Sequence, residues 1–403
     1  MTGPAKVVIV GAGLAGLRVA EELRARSYTG SVTLIGAEVR PPYDRPPLSK
    51  KVLSGQVTDT SLRADTDALD IDLRLAEPAV ELAEGVVRTD RAEYESDAVV
   101  LATGALPVRL PGSDKQRVLR TAEDALALRK RLQPGTKLVV VGAGWIGAEL
   151  ATAAAKRGCE VTVVEAADVP LASAVAPEIG RVTESWYAQA GVQLRLGVAV
   201  EAIEDDGVAL GDGSTVGADL VVTAVGVRPA IEWLAGSGVR LEDGVAVDEH
   251  LQTTVAGVFA AGDCAAFWSR RYQRQLRFEH WDVALHAPEV AAANVMGGSE
   301  VYDPVPYFWS EQFGRMVQYV GWHGAADQLI WRGDPGSERW AIGWLRFSKM
   351  VAALTVGLPR DLLQARRLIE AAVTVDADKL ADPGVAVRDC AVSELSVADL
   401  DRA

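Results

Sequence analysis

The sequence predicts an α/β chain in which two parallel-sheet units are interleaved and a smaller α+β domain follows. Three observations carry that expectation. A strand, glycine turn and helix, "KVVIVGAGLAGLRVAEEL" from Lys6, is repeated as "KLVVVGAGWIGAELATAA" from Lys137. Short apolar runs ending in glycine recur between and after the copies. From about Asp303 the texture changes to alternating, turn-punctuated segments that suit an antiparallel sheet.

Composition narrows the function classes. A chain of 403 residues, 49% hydrophobic and 24% charged, is ordinary for a globular protein of two or three domains. Its net charge of −14 argues against a phosphate-tracking surface, so no nucleic-acid partner is expected. Cys159, Cys264 and Cys390 are far apart and form no CxxC pair, which disfavours disulfide scaffolds, thiol relays and zinc ribbons. His250, His280, His286 and His323 show no metal-ligand spacing, and no metal is expected. The run from Val7 to Ala20 is broken by glycines and lacks a basic leader, so it reads as a strand and a helix. With no other long apolar run, a cytoplasmic protein with no membrane partner is expected.

In the first copy Gly11 permits a tight turn, Gly13 lets the backbone approach a pyrophosphate, and Gly16 allows the helix to pack closely. The phosphates would rest on a helix N-terminus, where free N–H groups favour an anion. The next strand, "SVTLIG", ends without a carboxylate. Glu38, the nearest one, reads equally as a ribose acceptor or a solvated loop residue. Four prolines in "PPYDRPPLSK", residues 41–50, predict a stiffened loop bearing Arg45 and Lys50. A buried strand then runs into the turn Ala102, Thr103 and Gly104.

In the second copy Gly142, Gly144 and Gly147 take the same three roles, and Trp145, Ile146 and Glu149 lie on the helix that follows. "EVTVVE" ends at Glu165, placed to accept from a ribose hydroxyl, and Ala166, Ala167 and Asp168 follow it. A 2′-phosphate would meet negative charge there, so NAD is expected in preference to NADP. "LVVTAVGVRPA" brings Gly226 to a turn, and "VFAAGDCAAF" brings Gly262 and Asp263. Asp263 also reads as a helix N-cap. Beyond Asp303, "RMVQYVGW", "DQLIWRG" and "RWAIGWLRFSKMVAALTVG" suggest three antiparallel strands, followed by a helix at "PRDLLQARRLIEAA".

This order of units, with "ATG" at 102–104 and "AAGDCA" at 260–265, resembles the two-dinucleotide-binding flavoproteins that include glutathione reductase. Disulfide reductases of that family carry CxxxxC after the first unit's second strand. "PPYDRPPLSK" stands there instead and resembles the FAD-dependent NADH:ferredoxin reductases typified by putidaredoxin and rubredoxin reductases. "YFWSEQFG" and "PRDLLQARRLI" resemble their C-terminal domain. The resemblance implies two interleaved Rossmann-like dinucleotide-binding domains plus a C-terminal α+β domain. FAD would occupy residues 1–110 and 236–303, NAD would occupy 111–235, and 304–403 would form the last domain.

The resemblance also implies roles. Gly11, Gly13, Ala15, Gly16, Glu38, Arg45, Lys50, Ala102, Thr103, Gly104, Gly262, Asp263, Trp281, Ala284 and Trp309 would face FAD. Gly142, Gly144, Trp145, Ile146, Gly147, Glu149, Glu165 and Gly226 would face NAD. Asp263 would bind the ribityl chain, Lys50 the reactive edge of the flavin, and Glu149 the nicotinamide region. Trp145 would cover the flavin until nicotinamide displaces it. Trp309 would lie near the ring system, and its structural alternative is plain core, as a solvated helix start is for Lys50. One departure stands out: "HWDVALHAPEV" places Pro288 where Gln-Gly is usual, so the early helix turn from Trp281 to Ala284 should be disturbed.

The activity so implied is hydride transfer from NADH to FAD and single-electron release to a [2Fe–2S] ferredoxin that serves a cytochrome P450 or ring-hydroxylating oxygenase. An acidic ferredoxin would need local positive charge on this acidic chain. Arg270, Arg271, Arg274 and Arg277, with Arg360, Arg366 and Arg367, supply candidates, each of which also reads as a solvated surface charge. Two alternatives remain. An NADH oxidase or peroxidase would want a cysteine in the loop, and an apoptosis-inducing-factor-like switch would use NADH to alter a binding surface.

Overall fold

The computed structural model describes residues 3–62 and 66–392. Strand Lys6–Val10 lies inside a five-stranded parallel sheet ordered Val258–Ala260, Ala98–Leu101, Lys6–Val10, Ser31–Ile35, Ile71–Arg74. Val7, Val8, Ile9 and Val10 are all buried, the continuous apolar run expected of a parallel strand covered on both faces. Helix Leu14–Ala25 follows the glycine turn and packs on helix Trp281–Val295. Val19, Leu23, Val100, Phe259, Ala292 and Val295 share one core, so chain from beyond residue 257 completes the first nucleotide unit.

The second unit repeats the plan. Its parallel sheet runs Gln193–Arg195, Glu160–Val164, Lys137–Val141, Leu220–Thr223, with helix Trp145–Lys156 after the glycine turn. The repeat goes further than the sequence motif suggests. Each unit adds a three-stranded antiparallel meander: Ala79–Ala83, Val86–Thr89, Glu93–Glu95 in the first, and Val200–Ile203, Gly207–Leu210, Thr215–Gly217 in the second. The chain leaves the first unit along Ala105–Pro107 and returns along Val227–Pro229. These two short strands pair antiparallel, Ala105 opposite Pro229.

The chain divides after Asp303 into two compact bodies. The second holds five antiparallel strands rather than the three expected, ordered Tyr307–Gln312, Arg315–Gly321, Lys349–Val356, Trp340–Arg346, Gln328–Arg332. "RWAIGWLRFSKMVAALTVG" is two strands, reversed at Phe347 and Ser348, whose φ values are 49° and 58°. A reversal with both central residues at positive φ normally takes Asn-Gly, so "FS" gave no turn signal. "YFWSEQFG" supplies the fifth strand. Helix Pro359–Ala371 covers the sheet, and Leu362, Ala365, Leu368 and Ile369 enter its core. Two further expectations need correction. "PPYDRPPLSK" ends in a π-helix, Leu48–Val52, and helix Trp281–Val295 runs unbroken through Pro288. Residues 393–403, within the expected last domain, lie outside the described residues.

Candidate active site

The two glycine turns are close copies. Gly11 and Gly142 have φ of 119° and 103°, and a Cβ would stand 2.1 Å from the Ala102 oxygen at the first and 2.5 Å from the Ala224 oxygen at the second. At Gly16 and Gly147 a Cβ would lie 1.9 and 2.0 Å from the oxygens of Gly11 and Gly142, so each helix presses on its own turn. Gly13 and Gly144 are different: a Cβ there meets nothing within 4 Å. Both are helix N-caps without a side-chain capping bond, and the space beside each is open. Each turn therefore fits a dinucleotide pyrophosphate.

Between the cradles lies the proline-rich loop. The Lys50 ammonium donates to Glu149 Oε2 at 2.8 Å, and the Ser49 hydroxyl donates to the same oxygen at 2.5 Å. The partners are 14% and 3% exposed, so this is a nearly buried ion pair joining the first unit's loop to the second unit's helix. Sequence reasoning singled out both residues and missed that they pair.

The same loop reaches two more places. Arg45 donates to Glu38 Oε1 at 2.6 Å and to the Arg120 carbonyl at 2.7 Å, while the Tyr43 hydroxyl donates to Glu38 Oε2 at 2.6 Å. Glu38 is thus held in place by its own loop rather than left as a simple solvated residue. Burial raises the Tyr43 pKa, keeping its hydroxyl a donor. The Trp281 indole N–H donates to Asp44 Oδ1 at 2.7 Å. Burial also pushes the Asp44 carboxyl above its usual range, against the pull of the Trp281 bond and the Lys50 charge.

Asp263 accepts from Arg120 Nη2 at 2.9 Å, in a pair that is 14% and 22% exposed. Gly262 and Gly104 are at positive φ, and Thr103 donates to the Ala230 carbonyl at 2.7 Å. Ala15 and Ala102 are buried, whereas Ala284 is half-buried one turn into its helix. Glu165 closes its strand with Oε2 accepting from Ala143 N at 2.7 Å and Oε1 from Ala167 N at 3.0 Å, which fixes its carboxylate beside the second glycine turn. Trp145 is half-buried, Ile146 is 44% exposed, and Gly226 is at positive φ with open space around it. Trp309 is half-buried on the first strand of the second body, stacked on Tyr307 with centroids 6.0 Å apart.

Arg120, Asp44 and Ser49 are the site residues that sequence reasoning missed. Arg120 is 143 residues from Asp263 and Asp44 is 237 from Trp281, and no motif announces either pairing. Ser49, next to Lys50, was within reach of the sequence. All three cysteines are free, and burial raises each thiol pKa, so none is poised as a thiolate. Among the described residues no group of His, Cys, Asp and Glu is arranged to hold a metal. No helix there is long and apolar enough to cross a membrane.

The surface arginines are less free than their number suggests. Arg270 is ion-paired with Glu249, and Arg366 with Glu370 at 2.9 Å. Arg277 is 11% exposed between Asp243 and Glu279, which makes it a structural residue and removes it from any open patch. Arg274, Arg360 and Arg367 are exposed, and Arg271 is half-buried.

Comparison with known proteins agrees with this geometry. The p-cumate 2,3-dioxygenase system ferredoxin–NAD(+) reductase component of Pseudomonas putida is 36% identical over 96% of this chain and 98% of its own length. Rhodocoxin reductase of Rhodococcus erythropolis is 36% identical over 93% of this chain and 92% of its own. Among solved structures, the covalent putidaredoxin reductase–putidaredoxin complex matches with a TM-score of 0.92 at 32% identity, covering 96% of this chain and 98% of that one. The structure named Fdr9 matches with a TM-score of 0.91 at 44% identity, covering 95% and 99%. Residues 5–287 match the pyridine nucleotide-disulphide oxidoreductase family and residues 307–391 match the reductase C-terminal family. With twin glycine cradles, a thiol-free loop between them and both matches spanning nearly its whole length, this chain belongs to the pyridine nucleotide-disulphide oxidoreductase family and carries a reductase C-terminal domain.

Proposed function

We propose that the chain is an NADH-dependent ferredoxin reductase, holding FAD on residues 1–110 and 236–303 and NADH on residues 111–235. The observation that carries this reading is the Lys50–Glu149 pair. It links the two cradles at the place where a disulfide reductase would need its cysteines. When bound, NADH supplies a hydride and FAD converts that electron pair into single-electron output.

The chain's own residues bind, orient and insulate. The turns at Gly11 and Gly142 offer backbone N–H groups to phosphates, and Gly13 and Gly144 leave room for them. Glu165 offers a fixed carboxylate to a ribose and repels a 2′-phosphate, which favours NADH over NADPH. Asp263, held by Arg120, faces the ribityl region, while Lys50 and Glu149 stand on the path between the nucleotides. Trp145 gates the nicotinamide position. No cysteine lies in the proline-rich loop, so a sulfenic-acid cycle of the oxidase kind has no residue there to run on.

Relatives named for ferredoxin reduction, and a solved complex with putidaredoxin, support a [2Fe–2S] ferredoxin as acceptor. It would feed a cytochrome P450 or a ring-hydroxylating oxygenase, and Arg270, Arg271, Arg274, Arg360, Arg366 and Arg367 would supply the local positive charge that steers it. The deciding measurement is anaerobic titration of the bound flavin with NADH, followed by stopped-flow reoxidation with [2Fe–2S] ferredoxins. Full bleaching at one equivalent of NADH and fast ferredoxin-dependent reoxidation are expected. A protein that takes up no FAD, or whose reduced form ignores every ferredoxin, overturns the assignment.

A further inference from the structure

The helix Trp281–Val295 carries an internal proline. Its N-cap, His280, makes no side-chain capping bond, so nothing of that kind fixes the first turn. Eight residues on, Pro288 has no N–H, and the Ala284 carbonyl one turn earlier cannot receive the helix bond that residue 288 would otherwise donate. The front half, Trp281 to Ala287, is therefore tied less firmly to the rest of the helix than its continuous course suggests. Burial of Val283 and Ala287 holds this half from one side, and a polar tie at its first residue adds a second restraint.

The proline-rich loop supplies that anchor. Trp281, the first helical residue, donates its indole N–H to Asp44 Oδ1 at 2.7 Å across 237 residues of sequence. Asp44 is itself well fixed: its backbone N–H donates to the Thr60 carbonyl at 2.8 Å, Tyr43 beside it bridges to Ser61, and Pro46 and Pro47 stiffen the chain that follows. A half-buried carboxylate carries a desolvation cost, and an indole bond alone could be satisfied by a neutral acceptor. The charge has a second counterpart in Lys50, six residues along the same loop.

We propose that Asp44 is a positioning residue for the flavin site, holding the front turn of the Trp281–Val295 helix against the loop that carries Lys50. This rests on the FAD assignment made above. The loop thereby aligns three things with one backbone: the Trp281 turn through Asp44, the Glu38 region through Arg45, and the nicotinamide-side helix through Lys50.

The test compares Asp44→Asn, Asp44→Leu and Trp281→Phe in the full chain, reading FAD dissociation from apoprotein titrations and the visible spectrum of bound flavin. Asp44→Leu and Trp281→Phe are each expected to weaken FAD binding about tenfold and to shift the flavin spectrum alike, since both remove one charge-assisted hydrogen bond. The double variant should lose no more than either single one. Asp44→Asn, which keeps an acceptor, should restore affinity to within about threefold of wild type. Wild-type FAD affinity and spectrum in Asp44→Leu, or additive losses in the double variant, overturn the positioning role. If Asp44→Leu does not fold, Trp281→Phe and Asp44→Asn decide alone: unchanged FAD affinity in Trp281→Phe overturns the role. A wild-type protein that takes up no FAD overturns instead the reading beneath it.

Discussion

Lys50 and Glu149 bring opposite charges out of water at 14% and 3% exposure. A pair so placed adds little net stability but becomes costly when one member is lost, because the survivor keeps its charge without its counter-ion. Lys50→Met is expected to lower the unfolding free energy by about 3–5 kcal/mol. Adding Glu149→Gln should recover part of that, and equal losses in single and double variants would locate the effect elsewhere. His280 presents the opposite case, a group kept neutral. Burial depresses its pKa from 6.5 to about 4, and it stacks on Phe278 with centroids 5.1 Å apart. Because the folded pKa is the lower one, the unfolded chain takes the proton first. Stability is whole above pH 6.5 and drains as pH falls toward 4, by up to about 3 kcal/mol. His280→Phe keeps a ring against Phe278 and should flatten that limb when denaturant midpoints are plotted against pH. A slope identical to wild type would assign the titration to another group.

The two strand, turn and helix units make a paired prediction at the scale of elements. Gly11→Ala sets a Cβ against the Ala102 carbonyl, and Gly142→Ala sets one against the Ala224 carbonyl, both at positive φ. The strain, roughly 1–3 kcal/mol, falls on different cradles. FAD content should drop in the first variant, and NADH affinity should weaken about tenfold in the second with FAD retained. Equilibrium dialysis for each nucleotide separates the outcomes, and a common loss of both would mean general misfolding. These units were legible in the sequence because their logic is local: glycine spacing, β-branched runs and a carboxylate at a strand end all lie within some thirty residues of each other. The "FS" reversal at Phe347 and Ser348 was not, since the turn is imposed by cross-strand pairing against residue preference. Pro288 misled for a related reason: the helix survives its missing bond because Ala291, Ala292 and Val295 are buried behind it. Arg120 and Asp44 stayed hidden because only the folded chain brings them to Asp263 and Trp281.

For the whole molecule, the net charge of −14 means that an acidic partner is repelled on average and attracted only locally. Arg270 already shares its charge with Glu249, and Arg366 with Glu370, so the attractive field is weaker than a count of arginines implies. Joint reversal at Arg270 and Arg271 to Glu is expected to raise the ferredoxin KM roughly fivefold and flatten its dependence on salt. NADH-to-ferricyanide turnover should stay intact, and unaltered ferredoxin kinetics would take those two arginines out of the docking surface. The ribbon of Ala105–Pro107 against Val227–Pro229 has its own consequence. Both ends of the stretch from 108 to 226 emerge side by side, like the two pins of a plug. A coenzyme module from another reductase could be spliced in at that socket, exchanging NADH preference for NADPH while the neighbouring sheet, closed by its own distant strand, keeps its wiring.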